Sequence, residues 1–273
     1  MSKAIYLATT EPNSGKSIVS LGMMQLLLGK TAKVGYFRPI IDDFEEGRID
    51  DHIDTVLKHF EVDQKFEDSY AYTRSQVVQL KNMDKDDEII GNIINKYKAI
   101  EDRFDIVLVE GTDFSGEGAI IEWDINVLIA KNLGIPAIII ANGMGKSLQE
   151  LVGNIYMAYD SFREKGVEVL LTVANKVQTE NLEKVLASLK SKLPKKVFTA
   201  AIPLNPILGN PTVKEIAQVL SAKVLFGEDF INNQAGEFSV GAMQLRNYLN
   251  HLKKDSLVIT PGDRADIILG ALQ

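Results

Sequence analysis

Gly15, Lys16 and Ser17 stand together where a short apolar run from Ala4 to Ala8 gives way, through a polar turn, to an amphipathic run. Those three residue types at that place suit a polyphosphate. Gly15 lets the backbone come close, Lys16 can reach the β- and γ-phosphates, and the Ser17 hydroxyl can take a place on Mg²⁺. Asn13 and Ser14 complete the turn, whose backbone N–H groups converge with the positive end of the following helix dipole on one anion. The complete glycine-loop pattern asks for a first glycine five residues before Gly15, and Thr10 stands there. The order of strand, phosphate loop and helix therefore carries the assignment, rather than the full spacing.

Other chemistry-bearing residues fall where such a loop would need company. Glu110 ends the run DIVLVEG, and a carboxylate at that strand end can hold Mg²⁺ directly or through water, or can simply cap a helix. Arg38 closes the run AKVGYFRP and can hold a phosphate or an anionic substrate, or be a surface arginine. The stretch from Asp42 to Leu57 is rich in acids. Asp51 is the one chosen there as a second Mg²⁺ ligand, against the plainer reading of a solvated helix start. Asn175 offers one donor and one acceptor, which suits the edge of adenine as well as it suits a turn. A second Gly-Lys-Ser at Gly145, Lys146 and Ser147 also follows a strand-like run and opens a helix. Its loop is shorter and no carboxylate-ended strand directly follows that helix, so it reads as a helix-capping loop. His52, His59 and His251 are scattered without a metal-ligand pattern, and no catalytic residue is assigned.

These residues need a scaffold that brings strand ends together. Strand-like runs at Ala4–Ala8, Ala32–Pro39, Asp105–Gly111, Pro136–Ala141, Val167–Ala174 and Lys196–Ile202 alternate with helical periodicity over Asp84–Phe104, Asn126–Leu133, Gln149–Lys165 and Glu180–Leu193. That alternation predicts an α/β fold, a doubly wound and mainly parallel sheet of the P-loop NTPase type, with ligands at the carboxyl ends of its strands. Residues 60–83 lack periodicity and read as a lid or insertion; the loop from Thr112 to Gly118 can approach a ligand closely. The domain boundary is expected at 208, with 209–273 a small α/β segment holding a helix at Val213–Leu220, a strand at Lys223–Phe226, a polar turn and a helix around Ala242–Leu252, after which Ser256–Thr260 leads into Pro261-Gly262-Asp263-Arg264. The helix from Ala265 is apolar and unpaired where the chain stops, which suggests truncation.

Composition sets the outer bounds. The 273 residues are 45% hydrophobic and 25% charged, with a net charge of −7 and no cysteine. An acidic chain without a basic block favours neither nucleic acid nor an anionic membrane. The absence of cysteine removes disulfides and thiolate chemistry and fits a reducing, cytoplasmic setting. No apolar stretch approaches the roughly 18 residues of a membrane span.

The motifs TTEPNSGKS, YFRPI, DIVLVEG, VANKV and AAIPLNP, in this order, resemble the dethiobiotin synthetase-like P-loop domain, in the version found at the front of long bacterial phosphate acetyltransferases. There it precedes a DRTGG domain, to whose core SLVITPGDRADIILGAL is similar. The resemblance implies ATP or another nucleotide and Mg²⁺ as ligands. Lys16 and Ser17 would then lie on phosphate and metal, Asp51 and Glu110 would complete the metal site, and Asn175 would face adenine. Arg38, Asp42 and Thr9 stand where dethiobiotin synthetases have lysine, serine and glycine, which counts against dethiobiotin synthesis. The resemblance further implies a regulatory, assembly-promoting role, a homo-oligomer, and an acetyltransferase domain further toward the C-terminus. A free-standing ligase that activates a carboxylate or carbamate by phosphoryl transfer, and a scaffold without nucleotide, are the alternatives.

Overall fold

A computed structural model describes residues 3–44, 49–112 and 119–272, the side chains of 119–123 excepted. The chain divides into two compact units, one up to Leu204 and one from Asn205 onward.

The first unit runs β1 (Ala4–Thr9), α1 (Lys16–Leu28), β2 (Val34–Ile41), α2 (Asp51–His59), β3 (Tyr70–Thr73), α3 (Arg74–Lys81), α4 (Asp86–Glu101), β4 (Ile106–Glu110), α5 (Ala119–Leu133), β5 (Ala137–Asn142), α6 (Leu148–Glu164), β6 (Val169–Val177), α7 (Leu182–Lys192) and β7 (Phe198–Pro203). Seven strands form one sheet in the order β3-β2-β4-β1-β5-β6-β7. All its pairings are parallel. The expected doubly wound sheet is present, and its inner strands read as unbroken apolar runs because both faces are covered. Along β1, Tyr6 and Ala8 enter one core while Leu7 enters the other. The first core is closed by α4, α5, α6 and α7 through residues such as Ile93, Ile129, Ile155 and Leu189; the second by Met24 of α1 and by Ile53 and Val56 of α2. Right-handed crossovers dictate this division. The chain steps one way across the sheet after β1 and β2 and the opposite way from β3 onward, so the two sets of helices land on opposite faces. The reversal leaves a crevice at the carboxyl ends of the strands around β1, which is where a doubly wound sheet takes its ligand.

Two sequence expectations change in this unit. Residues 60–83, read as a lid, supply the edge strand β3, paired to β2 through Arg38↔Tyr70, and the helix α3. The strand was hidden because its four residues, YAYT, are all half-buried and form no apolar run. Gln64 seats the segment with both ends of its amide, accepting from Tyr36 N at 3.1 Å and donating to Tyr36 O at 2.6 Å. The helix read from Asn126 begins at Ala119.

The second unit contains α8 (Val213–Val219), β8 (Glu237–Val240), α9 (Leu245–Leu249), β9 (Ser256–Ile259) and α10 (Ala265–Ala271). β8 and β9 pair in parallel, and β8 lies in the stretch read as a polar turn. The strand expected at Lys223–Phe226 does not form; Leu225 and Phe226 are 70% and 92% exposed. A β-prone run becomes a strand only where a neighbour accepts its hydrogen bonds and covers one face, and β9 accepts β8 instead. Tyr248 and Ile267 are the buried apolar side chains where α9 meets α10.

Candidate functional site

Three neighbouring strands, β2, β4 and β1, deliver their ends to one place, and β6 reaches it from beyond β5. β1 leads into the turn that ends at Gly15, which adopts φ 81° as the residue before α1. Asn13 is left-handed as well, at φ 58°. Lys16 opens α1 and is only 2% exposed. Its Nζ donates to Gly111 O at 2.5 Å and lies 3.8 Å from Glu110 Oε1. Gly111 lets the end of β4 pack closely here, since a Cβ there would meet Asn126 Oδ1 at 2.5 Å and Leu7 O at 2.8 Å.

Glu110 is the centre of the arrangement. Its side chain is fully buried at the end of β4. Oε2 accepts from Ser20 Oγ of α1 and from Tyr36 Oη of β2, the latter at 2.8 Å. Oε1 faces Arg38 Nε at 3.4 Å and His52 Nδ1 at 3.4 Å. Burial by itself would raise the Glu110 pKa, but the approach of His52 and the charges of Lys16 and Arg38 hold it well below the ordinary carboxylate range. The same carboxylate acts in reverse on its neighbours. Burial lowers the tendency of Arg38 to stay charged, yet Glu110, Tyr36 and Asp50 more than offset it and raise its pKa. Burial first, then Glu110, pushes the Tyr36 phenol well above its usual value.

Arg38 is buried, as few surface arginines are, and spends Nη1 on both carboxylate oxygens of Asp50, at 2.7 and 2.5 Å. Asp50 is also the cap of α2, accepting from Ile53 N at 2.9 Å. Asp51, the residue chosen from the sequence for the metal, begins α2 one position later with an exposed side chain, and the structure does not bring it to Glu110. His52 comes there instead. Its Nδ1 lies 3.1 Å from Ser17 Oγ as well as 3.4 Å from Glu110. Asn175, expected at a base edge, donates its amide to Ser14 O at 2.8 Å. The glycine-containing loop singled out at Thr112–Gly118 lies, apart from Thr112, outside the described residues.

The fit to a metal rests on one atom. Glu110 Oε1 is buried and makes no hydrogen bond among the described residues, and neither does Arg38 Nε. Ser17 Oγ and that carboxylate oxygen both lie within 3.4 Å of one His52 nitrogen. A hydroxyl and a carboxylate oxygen are the hard donors Mg²⁺ accepts, with phosphate and water completing its shell. Among the described residues no group of three or more histidines or acids could hold a metal unaided, so a cation here would depend on a bound phosphate.

Tyr36 and Ser20 escaped the sequence reading, Asp50 stood unselected in the acid-rich stretch, and His52 was given no role. Asp50 carried a usable signal, an aspartate just before an apolar-periodic helix. Tyr36 and Ser20 carried none, being ordinary interior residues of a strand and a helix. The second Gly-Lys-Ser behaves as read. Ser147 caps α6 in a reciprocal box with Glu150, and Lys146 pairs with Glu11 of the first loop.

Residues 3–212 match the model of a family described as AAA domain, and residues 215–273 match that of the DRTGG domain. A phosphate acetyltransferase of Nitratidesulfovibrio vulgaris strain Hildenborough is 40% identical over 278 residues, covering 100% of this chain and 39% of its own length. Another from a Synechocystis species is 36% identical over 275 residues, with coverages of 100% and 40%. The chain thus spans about two fifths of the length of these curated relatives. Among solved structures, the MinD cell division protein of Aquifex aeolicus is similar at 18% identity with a TM-score of 0.43, over 76% of this chain and 84% of that one.

Proposed function

The chain belongs to the AAA-domain family, with a DRTGG domain behind it, and from that premise we propose that it is the nucleotide-binding, regulatory front portion of a phosphate acetyltransferase. The parent reaction is acetyl-CoA plus phosphate giving acetyl phosphate plus CoA, carried by an acetyltransferase domain further along the same protein in the cytoplasm. The part played by these residues is to bind a nucleotide, preferably ATP with Mg²⁺, and report it within a homo-oligomer.

The observation that carries this reading is the convergence of Lys16, Ser17 and the unsatisfied Glu110 Oε1 beside the left-handed Gly15. Lys16 would hold the terminal phosphates, and the amides of the turn from Asn13 to Gly15 would hold the bridging oxygens. Ser17 Oγ and Glu110 Oε1 would hold the cation, whose contribution is to neutralise phosphate charge. His52, Lys16 and Arg38, the last fixed by Asp50, keep the buried Glu110 ionised, so a carboxylate rather than a carboxylic acid faces the ligand. Asp51 remains a candidate only by way of bound water, given its exposed position.

A thermal-shift titration with MgATP, run on the wild-type chain beside Lys16→Ala, tests the reading. A ligand that binds only the folded state adds about 2.7 kcal/mol at a hundredfold excess over Kd. The expected result is a rise in Tm for the wild type that Lys16→Ala loses. No shift from any nucleotide in either protein removes the site and leaves the scaffold reading. Release of phosphate in step with binding would move the chain to the ligase reading.

A further inference from the structure

β6 loses register between Ala174 and Val177, and within that break Lys176 adopts φ 57°. In a regular strand two successive side chains point to opposite faces. Here they act on the same element. Asn175 Nδ2 donates to Ser14 O at 2.8 Å, and Lys176 Nζ donates to Asn13 O at 2.7 Å. Two consecutive side chains hold two consecutive carbonyls of the turn that precedes α1. Non-glycine residues in the left-handed region are strained and persist where their surroundings over-determine them. Two of the six among the described residues, Asn13 and Lys176, are joined by this one hydrogen bond.

The consequence follows from peptide geometry. A peptide unit is planar and trans, so when its carbonyl is drawn to one side its N–H points to the other. With the carbonyls of Asn13 and Ser14 drawn to β6, the N–H groups of Ser14 and Gly15 are turned away from it together. Successive N–H groups set among left-handed residues form a concavity for an anion, and Asn13 at φ 58° and Gly15 at φ 81° supply those residues. Asn175 also reads what stands opposite it, because a Cβ on Gly15 would come within 2.3 Å of its Nδ2. We propose that Asn175 and Lys176 are positioning residues that pre-form the polyphosphate cradle, Asn175 acting on the loop and not on a nucleobase edge. This rests on the nucleotide-binding reading and says which atoms make it work.

The test uses the 273-residue chain with two probes, MgATP and magnesium tripolyphosphate, the second of which has no base. The variants are Asn175→Ala, Lys176→Met and Lys176→Arg, each first compared with wild type by its unliganded melting temperature and by the amide ¹H–¹⁵N resonances of Ser14 and Gly15. Loss of either hydrogen bond to the loop, the neutral one from Asn175 or the charge-assisted one from Lys176, weakens both probes by the same factor, roughly tenfold. Lys176→Arg restores most of it, and the Ser14 and Gly15 resonances move in Asn175→Ala and Lys176→Met while the rest of the spectrum stays in place. If Asn175→Ala weakens MgATP but leaves tripolyphosphate unchanged, Asn175 reads the base and the inference fails while nucleotide binding stands. If all variants bind both probes as the wild type does, the inference fails again. If the wild type binds neither probe, the nucleotide reading falls and takes the cradle with it.

Discussion

Lys16 and Lys146 stand in the same tripeptide, each between a parallel strand and a helix, yet their surroundings differ in almost every respect. Lys16 is 2% exposed, lies 3.8 Å from the buried Glu110 and belongs to a network that spans two strands and two helices. Lys146 sits at a half-exposed rim, paired with Glu11. Gly15 packs against Asn175, whereas a Cβ on Gly145 would meet nothing within 4 Å. Ser17 faces His52, while Ser147 turns back on its own helix. A Gly-Lys-Ser acquires meaning from the strand ends beside it. β1 lies next to β4 and two places from β2, which is how Glu110 and Arg38 reach the first copy; β5 has neither as its sequel.

The largest break in this contrast should come from the partner carboxylates. Removing one member of a buried charge cluster leaves its counter-ions uncompensated, at a cost of about 3–5 kcal/mol. Glu110→Ala is therefore expected to lower stability by about that amount, by denaturant titration, with Lys16 and Arg38 left unbalanced. Glu150→Ala, at the second copy, should cost far less, because its carboxylate is solvent-exposed. Equal losses would mean that the Glu110 network does not hold the site together. The pH dependence sharpens the same point. Glu110 has a folded-state pKa depressed below its unfolded value of 4.5, so it contributes stability that is present above that value and lost as the pH falls toward the folded one. The wild-type chain should lose stability progressively below about pH 4.5, and Glu110→Gln should flatten that part of the curve.

How much of this was legible beforehand divides along physical lines. β1, β4, β5 and the loop before α1 announced themselves because a strand buried on both faces is an unbroken apolar run and because few residue types serve a phosphate. β3 was not legible: Tyr70 to Thr73 depends on the anchoring of Gln64 to Tyr36 and on pairing with Arg38, both of them contacts between segments distant in sequence. The orphaned stretch at Lys223–Phe226 failed in the opposite sense, having strand propensity but no neighbour. In the site, the loop and Glu110 came from pattern, whereas Tyr36, Ser20 and His52 arrive only because β2, α1 and α2 converge on β4. Asp51 begins α2 one position after Asp50, and one position there is about 100° of rotation, enough to leave Asp51 exposed while Asp50 meets Arg38.

The next test exchanges roles between the two lysines. Lys146→Ala should keep the nucleotide-induced rise in Tm, about 2.7 kcal/mol at a hundredfold excess of ligand, that Lys16→Ala abolishes. A loss of the shift in Lys146→Ala would place both triplets at one ligand. The glycines separate next. Gly15→Ala forces a side chain into the left-handed region and against Asn175, for an expected cost of about 2–3 kcal/mol. Gly145, left-handed at φ 74° but with open space around it, should cost only about 1 kcal/mol when changed to alanine. Thermal unfolding of the two variants side by side measures the difference, and a larger loss at Gly145 would contradict the interlock with Asn175.

The serines give the smallest effects and the cleanest inversion. Ser147 Oγ accepts from Glu150 N at 3.3 Å while Glu150 Oε2 accepts from Ser147 N at 2.8 Å, a reciprocal cap whose loss on Ser→Ala costs about 1 kcal/mol. Ser17 is the second residue of α1 and caps nothing; its hydroxyl points to His52. Ser17→Ala should therefore change unliganded stability by less than about 0.5 kcal/mol while removing the dependence of nucleotide binding on Mg²⁺. Ser147→Ala should do the reverse, lowering Tm and leaving the metal dependence alone. Melting curves with nucleotide, with and without EDTA, read both properties in one experiment. If Ser17→Ala retains its metal dependence, the cation does not sit on α1, and Glu110 is left as a purely structural carboxylate.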